Sequence, residues 1–460
     1  MTNSFLIAWG MAAAGLVAPG IVVAQGFRGD GSGRFAATAP LVEYATEKNV
    51  IWKTKLPAWS NASPIAMGDR LFVCGEPAVL VCLRANDGSV LWQAANGTEE
   101  LLGDADKALL RAEQERADQC AKLMRETQDK LGALSREIGT SDNKAKFDAQ
   151  VEELTAKLQA LRQAWQPMPL AQKHRLPSAH GNTGYSTPTP VTDGRLVWVV
   201  FGNGVAACYT PAGERKWIKL VERPSQGHGH SASPVLAGGQ LILAINEVHG
   251  LDPATGEERW HAPSAARFGT PVAATIGQVP VVVTANGELL RATDGRVLAA
   301  KLGGLAYNSP VVADGVAYFV NEGQATAWKL PSETGESFVP KKLWETAIGR
   351  ERQYASPAVH NGLLFALAAN GNLTVLDAQT GAKVLEHPLK LNGTCYSSLM
   401  VIGDRLHVFS EGGSTVVLTA DREVRELMRA AVESVRSSPL FFGQRLYLRS
   451  MNHLFCFGAE

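Results

Sequence analysis

A small residue followed by proline recurs along this chain at a nearly regular spacing. The copies read Asn61-Ala-Ser-Pro64, Tyr185-Ser-Thr-Pro188, Ser231-Ala-Ser-Pro234, Phe268-Gly-Thr-Pro271, Tyr307-Asn-Ser-Pro310, Tyr354-Ala-Ser-Pro357, Tyr396-Ser-Ser-Leu399 and Arg436-Ser-Ser-Pro439. From Pro188 onward they lie 37 to 47 residues apart. The first interval is 124 residues, which points to an insertion of roughly 80 there. A period near forty residues is the mark of a radial repeat, and it overrides the expectation of about three domains that 460 residues would otherwise raise.

Each copy carries the same internal plan. An apolar strand follows the proline. A turn such as Asp193-Gly194 or Asn361-Gly362 comes next, built from residues that tolerate positive φ. A second strand follows, for example Leu196-Val-Trp-Val-Val200, and then a third. A turn such as Asp87-Gly88 or Asp377-Ala-Gln-Thr-Gly381 leads to a fourth strand. That strand carries Trp92, Trp217, Trp260 or Trp344, each large enough to fill a wedge between neighbours. The copies at Leu298, Leu385 and Leu427 lack the tryptophan. Four strands per copy predict an all-β, eight-bladed propeller of four-stranded blades. The last copy stops after three strands, and Val50–Leu56 has the form of an isolated fourth. The N-terminal strand is therefore expected to close the ring and remove its free edges. A seven-bladed ring is the alternative, because the copy at Leu399 lacks its proline.

The propeller should span residues 49–460, after an N-terminal extension of residues 25–48. Within it, residues 98–165 break the pattern. They lack proline and are rich in strong helix formers. Leu109, Leu110, Ala117, Leu123, Leu131 and Leu134 recur at helical spacing, as do Phe147, Val151, Leu154, Leu158 and Leu161. A turn with a fresh N-cap is expected at residues 139–143. The result is a helical hairpin, rising from the face where blade-to-blade connections lie. Residues 1–24 read as a signal peptide, with Phe5–Ala24 almost wholly apolar and small residues before Gln25. The protein is expected in the periplasm or another extracytoplasmic space.

Lys plus Arg equals Asp plus Glu at 44 each, which argues against a nucleic-acid footprint. The residue three before each proline starts an inner strand at the channel mouth. Tyr185, Phe268, Tyr307, Tyr354 and Tyr396 give an aromatic collar there, joined by Arg436 and Arg352. Such a collar suits a planar or sugar-like ligand. His180, His228 and His230 belong to the same face, but no acidic residue or cysteine joins them at a metal-ligand spacing, and no metal is expected. Most aspartates occupy turn positions. No nucleophile elbow, Walker loop, zincin motif or haem attachment site occurs. Cys82, Cys208 and Cys456 fall at matching points of the third strand and read as small buried residues.

The segments Leu251-Asp-Pro-Ala-Thr-Gly-Glu-Glu-Arg-Trp260 and Leu376-Asp-Ala-Gln-Thr-Gly381 resemble the tryptophan-docking repeat of the pyrroloquinoline-quinone-like propellers. The resemblance covers the chain after Asn49, apart from the insertion. It is closest in character to the exported propellers that resemble the outer-membrane assembly scaffold. That branch implies a non-catalytic binding or scaffold protein with a protein partner and no cofactor; the collar with Arg352 and Arg436 leaves a small ligand or glycan at the channel mouth as a separate alternative. The other branch implies a quinone-dependent oxidoreductase holding pyrroloquinoline quinone with calcium. The chain departs from that branch in having no adjacent cysteine pair and no matching calcium-ligand set. It departs from the scaffold branch in its helical hairpin and in lacking a lipid-anchor cysteine.

Overall fold

The computed structural model describes residues 23–24, 26–37, 43–140, 144–265, 267–332 and 339–458. Residues 1–22 of the expected leader (1–24) lie outside them, and so does most of the expected turn between the two helices; Val23–Ala24, the expected leader's last two residues, form a short strand that leads into the N-terminal extension. The described residues form a mostly-β propeller with a helical hairpin. Eight sheets each hold four antiparallel core strands. Numbered by their innermost strands, these are sheet 1 (Ile65–Met67), sheet 2 (Val191–Thr192), sheet 3 (Val235–Ala237), sheet 4 (Val272–Ile276), sheet 5 (Val311–Ala313), sheet 6 (Ala358–His360), sheet 7 (Met400–Ile402) and sheet 8 (Leu440–Phe442). In sheets 1 to 7 the four strands follow one another in sequence. In sheet 8 the outermost strand is Val50–Lys55, paired antiparallel with His453–Phe457.

The outer strands explain the tryptophans. In all eight sheets the pairing of the third and fourth strands is interrupted by a bulge at matching positions. Bulges bend a strand and re-aim its side chains. Trp52, Trp92, Trp217, Trp260 and Trp344 all stand at this point. Each donates its indole N–H to a backbone carbonyl in the turn of the next sheet: Ala85 at 3.0 Å, Pro211 at 2.9 Å, Pro253 at 2.9 Å, Ala292 at 3.2 Å and Ala378 at 3.0 Å. Each ring lies on the positive-φ glycine of that turn. A Cβ on Gly295 would stand 2.3 Å from Trp260, so these glycines are required by close approach as well as by φ.

The same register explains three of the cysteines. The residues paired with the five tryptophans are Cys456, Cys82, Cys208, Gly250 and Ala327, all small. Where the tryptophan is missing, the pairing puts Ala299, Leu385 and Met428 at its point, opposite Leu289, Val375 and Val417. In sheets 4 and 7 that is one residue beyond the leucines expected from sequence. Bulk lost from one strand is regained on the other, as close packing requires.

The hairpin consists of α1 (Asp104–Thr140) and α2 (Asp148–Trp165). Its 37-residue first arm is about 55 Å long at 1.5 Å per residue. Leu110, Leu134 and Phe147 are buried, Ala117 is buried against Met168 and Ala171 at the base, and Leu109 is exposed. The base is fixed to the propeller. Glu100 bridges Lys107 of the hairpin and Arg215 of sheet 2 at 3.5 and 3.2 Å, while buried Glu113 accepts at 2.9 Å the N–H of Ala171, in the short helix Pro169–Lys173 that follows the hairpin. No helix among the described residues is long and apolar enough to cross a membrane.

Candidate functional site

The residue preceding each inner strand's proline step has a backbone role. Its hydroxyl accepts the N–H of the matching residue in the preceding sheet. Ser63 N–H donates to Thr189 at 3.0 Å, Thr189 to Ser233 at 3.0 Å, Ser233 to Thr270 at 2.9 Å and Thr270 to Ser309 at 2.8 Å. Ser309 donates to Ser356 at 3.1 Å, Ser356 to Ser398 at 3.0 Å, Ser398 to Ser438 at 3.0 Å, and Ser438 returns to Ser63 at 3.2 Å. The chain of bonds is cyclic, and all eight residues are buried. It also corrects the second copy. The ring residue there is Thr189, before Pro190, two positions beyond the step read from sequence. In sheet 7, Leu399 replaces the proline and donates its N–H to Ser356 O at 3.2 Å, a bond proline cannot make.

The N-terminal extension closes the space inside this ring, a role that its sequence did not disclose. Val23–Ala24 pairs with the innermost strand of sheet 1, and Arg34–Phe35 pairs with that of sheet 7. The turn between them crosses the axis. Gly26 lies against Val191 of sheet 2 and Gly31 against Val272 of sheet 4. Arg28, 1 % exposed, donates to Pro357 O at 2.6 Å and Leu399 O at 3.1 Å, and also to its own turn at Ser32 O. Burial pulls its guanidinium down to about 9, partly offset by Asp30. The glycines allow the chain to fold this tightly; a Cβ on Gly33 would collide with the Arg28 side chain. Phe27 faces the enclosed space from this turn. The channel is therefore a blind well of about 590 Å³.

The collar stands around the mouth of the well. Four rings from sheets 4 to 7 form a continuous arc. Phe268 and Tyr307 stack at 5.8 Å between centroids, Tyr307 meets Tyr354 edge-on at 4.9 Å, and Tyr354 meets Tyr396 at 4.9 Å. Arg352 lies 5.9 Å from the Tyr307 centroid and donates to the Tyr354 hydroxyl at 3.0 Å. Arg436 lies 5.7 Å from the Tyr396 centroid and is paired with Glu411 at 2.8 Å. The other half of the mouth is polar. There the strap of residues 174–187, returning from the hairpin, lays Asn182 across to Asn61 at 2.7 Å and Arg436 at 3.3 Å.

The expected site residues separate into three groups. Phe268, Tyr307, Arg352, Tyr354, Tyr396, Arg436, His180 and His228 line the well. Tyr185 does not: the two-residue displacement puts Thr187 at its place. The Tyr185 hydroxyl instead bonds Pro177 O at 2.8 Å, and its ring lines a groove of about 930 Å³ beneath the hairpin, with Trp165, Met124 and Ala117. His230 is buried away from the well, and desolvation lowers its imidazole to about 4. His180 and His228 pair with ring centroids 5.4 Å apart. Among the described residues no cluster of three or more potential metal ligands occurs. The six cysteines are free, and burial pushes the thiols of Cys82 and Cys208 up to about 12. Phe27 and the hydroxyl ring were missed in the sequence. The Ser/Thr at every copy was the available signal for the ring.

The sequence matches the family described as outer membrane protein assembly factor BamB, over residues 12–154, 173–280 and 245–460. The chain belongs to this family. It is 29 % identical over 149 residues to the outer membrane protein assembly factor BamB of Xanthomonas campestris pv. campestris, a stretch covering 31 % of this chain and 35 % of that protein. The match thus spans about a third of the curated relative. Among solved structures, BamB from Moraxella catarrhalis superimposes with a TM-score of 0.57 at 13 % identity, over 89 % of this chain and 97 % of that one. The quinohemoprotein alcohol dehydrogenase of Comamonas testosteroni gives 0.56 at 10 % identity, over 92 % and 79 %. Both structures share the fold with this family member.

Proposed function

We propose that this protein is a non-catalytic scaffold of outer-membrane protein assembly, working in the periplasm. Its eight sheets are the blades of one ring, sealed where Val50–Lys55 completes the blade of the C-terminal strands; the cyclic hydroxyl chain supports that reading. The observation that carries the scaffold role is a shared wall. The strap of residues 174–187 borders the well through His180, Asn182, Thr183 and Thr187. It borders the groove beneath the hairpin through His174, Leu176 and Tyr185. A partner gripping the hairpin groove thus contacts the same strap that borders the mouth of the well. The family, whose printed description is that of an assembly factor, supports the same reading.

Calcium-bound quinone fits the well poorly. Calcium takes 6 to 8 oxygen ligands, carboxylates prominent among them. The residues lining the well are hydroxyls, rings, amides, histidines and two arginines, with no carboxylate. Phe27 and Arg28 also occupy the axis below. The test is genetic and biochemical. Cells lacking the protein should accumulate fewer folded outer-membrane β-barrels. The full chain should restore them, and a chain with residues 105–166 replaced by a short linker should not. Unchanged barrel levels overturn the proposal. So does a saturable absorbance change with a raised melting temperature on adding pyrroloquinoline quinone and calcium.

A further inference from the structure

We propose that the blind well binds an acidic saccharide: the end of a sugar chain, or a free sugar, whose ring carries a carboxylate or sulfate. The inference goes beyond the scaffold role and does not depend on it. Three independent features of the well converge on this chemistry.

The first is donor supply. Seven of the ring hydroxyls line the well. Each already accepts a backbone N–H from the neighbouring sheet, so the hydroxyl proton is left for whatever enters. A hydroxyl carries one donor and two acceptor sites. The wall therefore presents an arc of seven O–H donors, suited to a ligand dense in oxygen. The second is the one-sided arc from Phe268 to Tyr396, which offers ring faces and edges for the apolar face of a sugar while the hydroxyls take its rim. The third is charge. No aspartate or glutamate lines the well. Arg436 is committed to Glu411. Arg352 is exposed and has no carboxylate within ion-pair distance among the described residues; it is held over Tyr307 by the Tyr354 hydroxyl. A positioned, unpaired guanidinium is a receptor for an oxyanion. The floor adds a constraint: with Phe27 and Arg28 across the axis, a polymer cannot thread through and must enter end-first.

The experiment is titration calorimetry of the full chain at low ionic strength. The probes are glucuronate, a glucuronate-terminated disaccharide, glucose 6-sulfate, glucose and benzoate. Saturable one-to-one binding of the acidic sugars is expected, with glucose about tenfold weaker or worse, as loss of a charge-assisted hydrogen bond implies. Arg352→Gln and Tyr307→Ala should each weaken glucuronate about tenfold. The exposed Arg425→Gln, on the far edge of sheet 7, should leave it unchanged. Arg352 is exposed, so its variant tests binding without risking the fold. Preference for the disaccharide over glucuronate identifies a chain end as the source, and equal binding a free sugar. Four results overturn the proposal: no binding to folded protein, equal binding of glucose, tighter binding of benzoate, or binding that survives both variants. Each leaves the hairpin-dependent scaffold role standing.

Discussion

Two circles of residues lie one above the other at the mouth of this propeller, and their repeats behave differently. The lower circle is Ser or Thr at all eight positions, because each hydroxyl holds a backbone N–H of the preceding sheet. The upper circle, two residues earlier in every copy, reads Asn61, Thr187, Ser231, Phe268, Tyr307, Tyr354, Tyr396 and Arg436. No common backbone bond recurs at these positions, although Ser231 donates to Phe268 O at 2.8 Å, so one half has become aromatic and the other polar. Within a single chain, repetition thus separates positions that build the ring from positions left free to recognise something.

The strongest test lies at the outer rim, where the framework is also repeated. Trp260→Ala removes a buried ring and its bond to Ala292 O. A loss of about 3–5 kcal/mol in denaturant unfolding is expected. The equivalent change at Leu385, which is only partly buried in a junction without tryptophan, should cost clearly less. Equal losses would show that the tryptophans are not framework at all.

His407 is the exception that sharpens the comparison. The residues paired with the start of the inner strands in the other seven sheets are Phe72, Trp198, Ile242, Val283, Tyr318, Phe365 and Tyr447, all apolar or aromatic. In sheet 7 the residue is His407, buried, with its Nδ1 2.9 Å from the hydroxyl of Tyr44 in the N-terminal extension. Desolvation, reinforced by Arg405, lowers its imidazole to about 3. The folded state then binds fewer protons than the unfolded state below about pH 6.5, so stability is lost as pH falls from there toward 3. By pH 4 the loss from this group is about 3 kcal/mol. His407→Phe, restoring the pattern of the other sheets, should flatten the acid limb of a melting-temperature profile. An unchanged acid limb would place the sensitivity in carboxylates such as Glu222, whose bonds from His249 and Asn246 outweigh its desolvation.

Much of this architecture was legible because repeats multiply weak signals. One Ser-Pro step means little, but copies recurring every 37 to 47 residues from Pro188 onward located the inner strands. The cysteines opposite the tryptophans were placed correctly on the third strand for the same reason. Where a local sequence offered two equivalent registers, the reading slipped. Thr187-Pro188-Thr189-Pro190 contains two identical steps, and only the hydrogen bond from Ser63 selects the second. Tyr185 consequently left the collar. The floor of the well was not legible at all. Gly26–Gly33 has no repeat to reveal it, and the partners of Arg28 lie 329 and 371 residues away.

The two circles themselves provide the smallest and most discriminating test. Ser356→Ala deletes one oxygen and leaves the buried Ser309 N–H without its acceptor; a loss of about 1–3 kcal/mol is expected. Ser356→Thr keeps the hydroxyl and should stay close to the native value. Tyr354→Ala deletes a whole ring from a half-buried site with ring contacts to two neighbours, and should cost about 1 kcal/mol or less. The single atom is expected to outweigh the ring because it completes a buried backbone bond, whereas the ring meets its neighbours at the open, half-buried mouth of the well. A reversed order in chemical unfolding would make the collar part of the framework, and its aromatic half would then need no ligand to account for it.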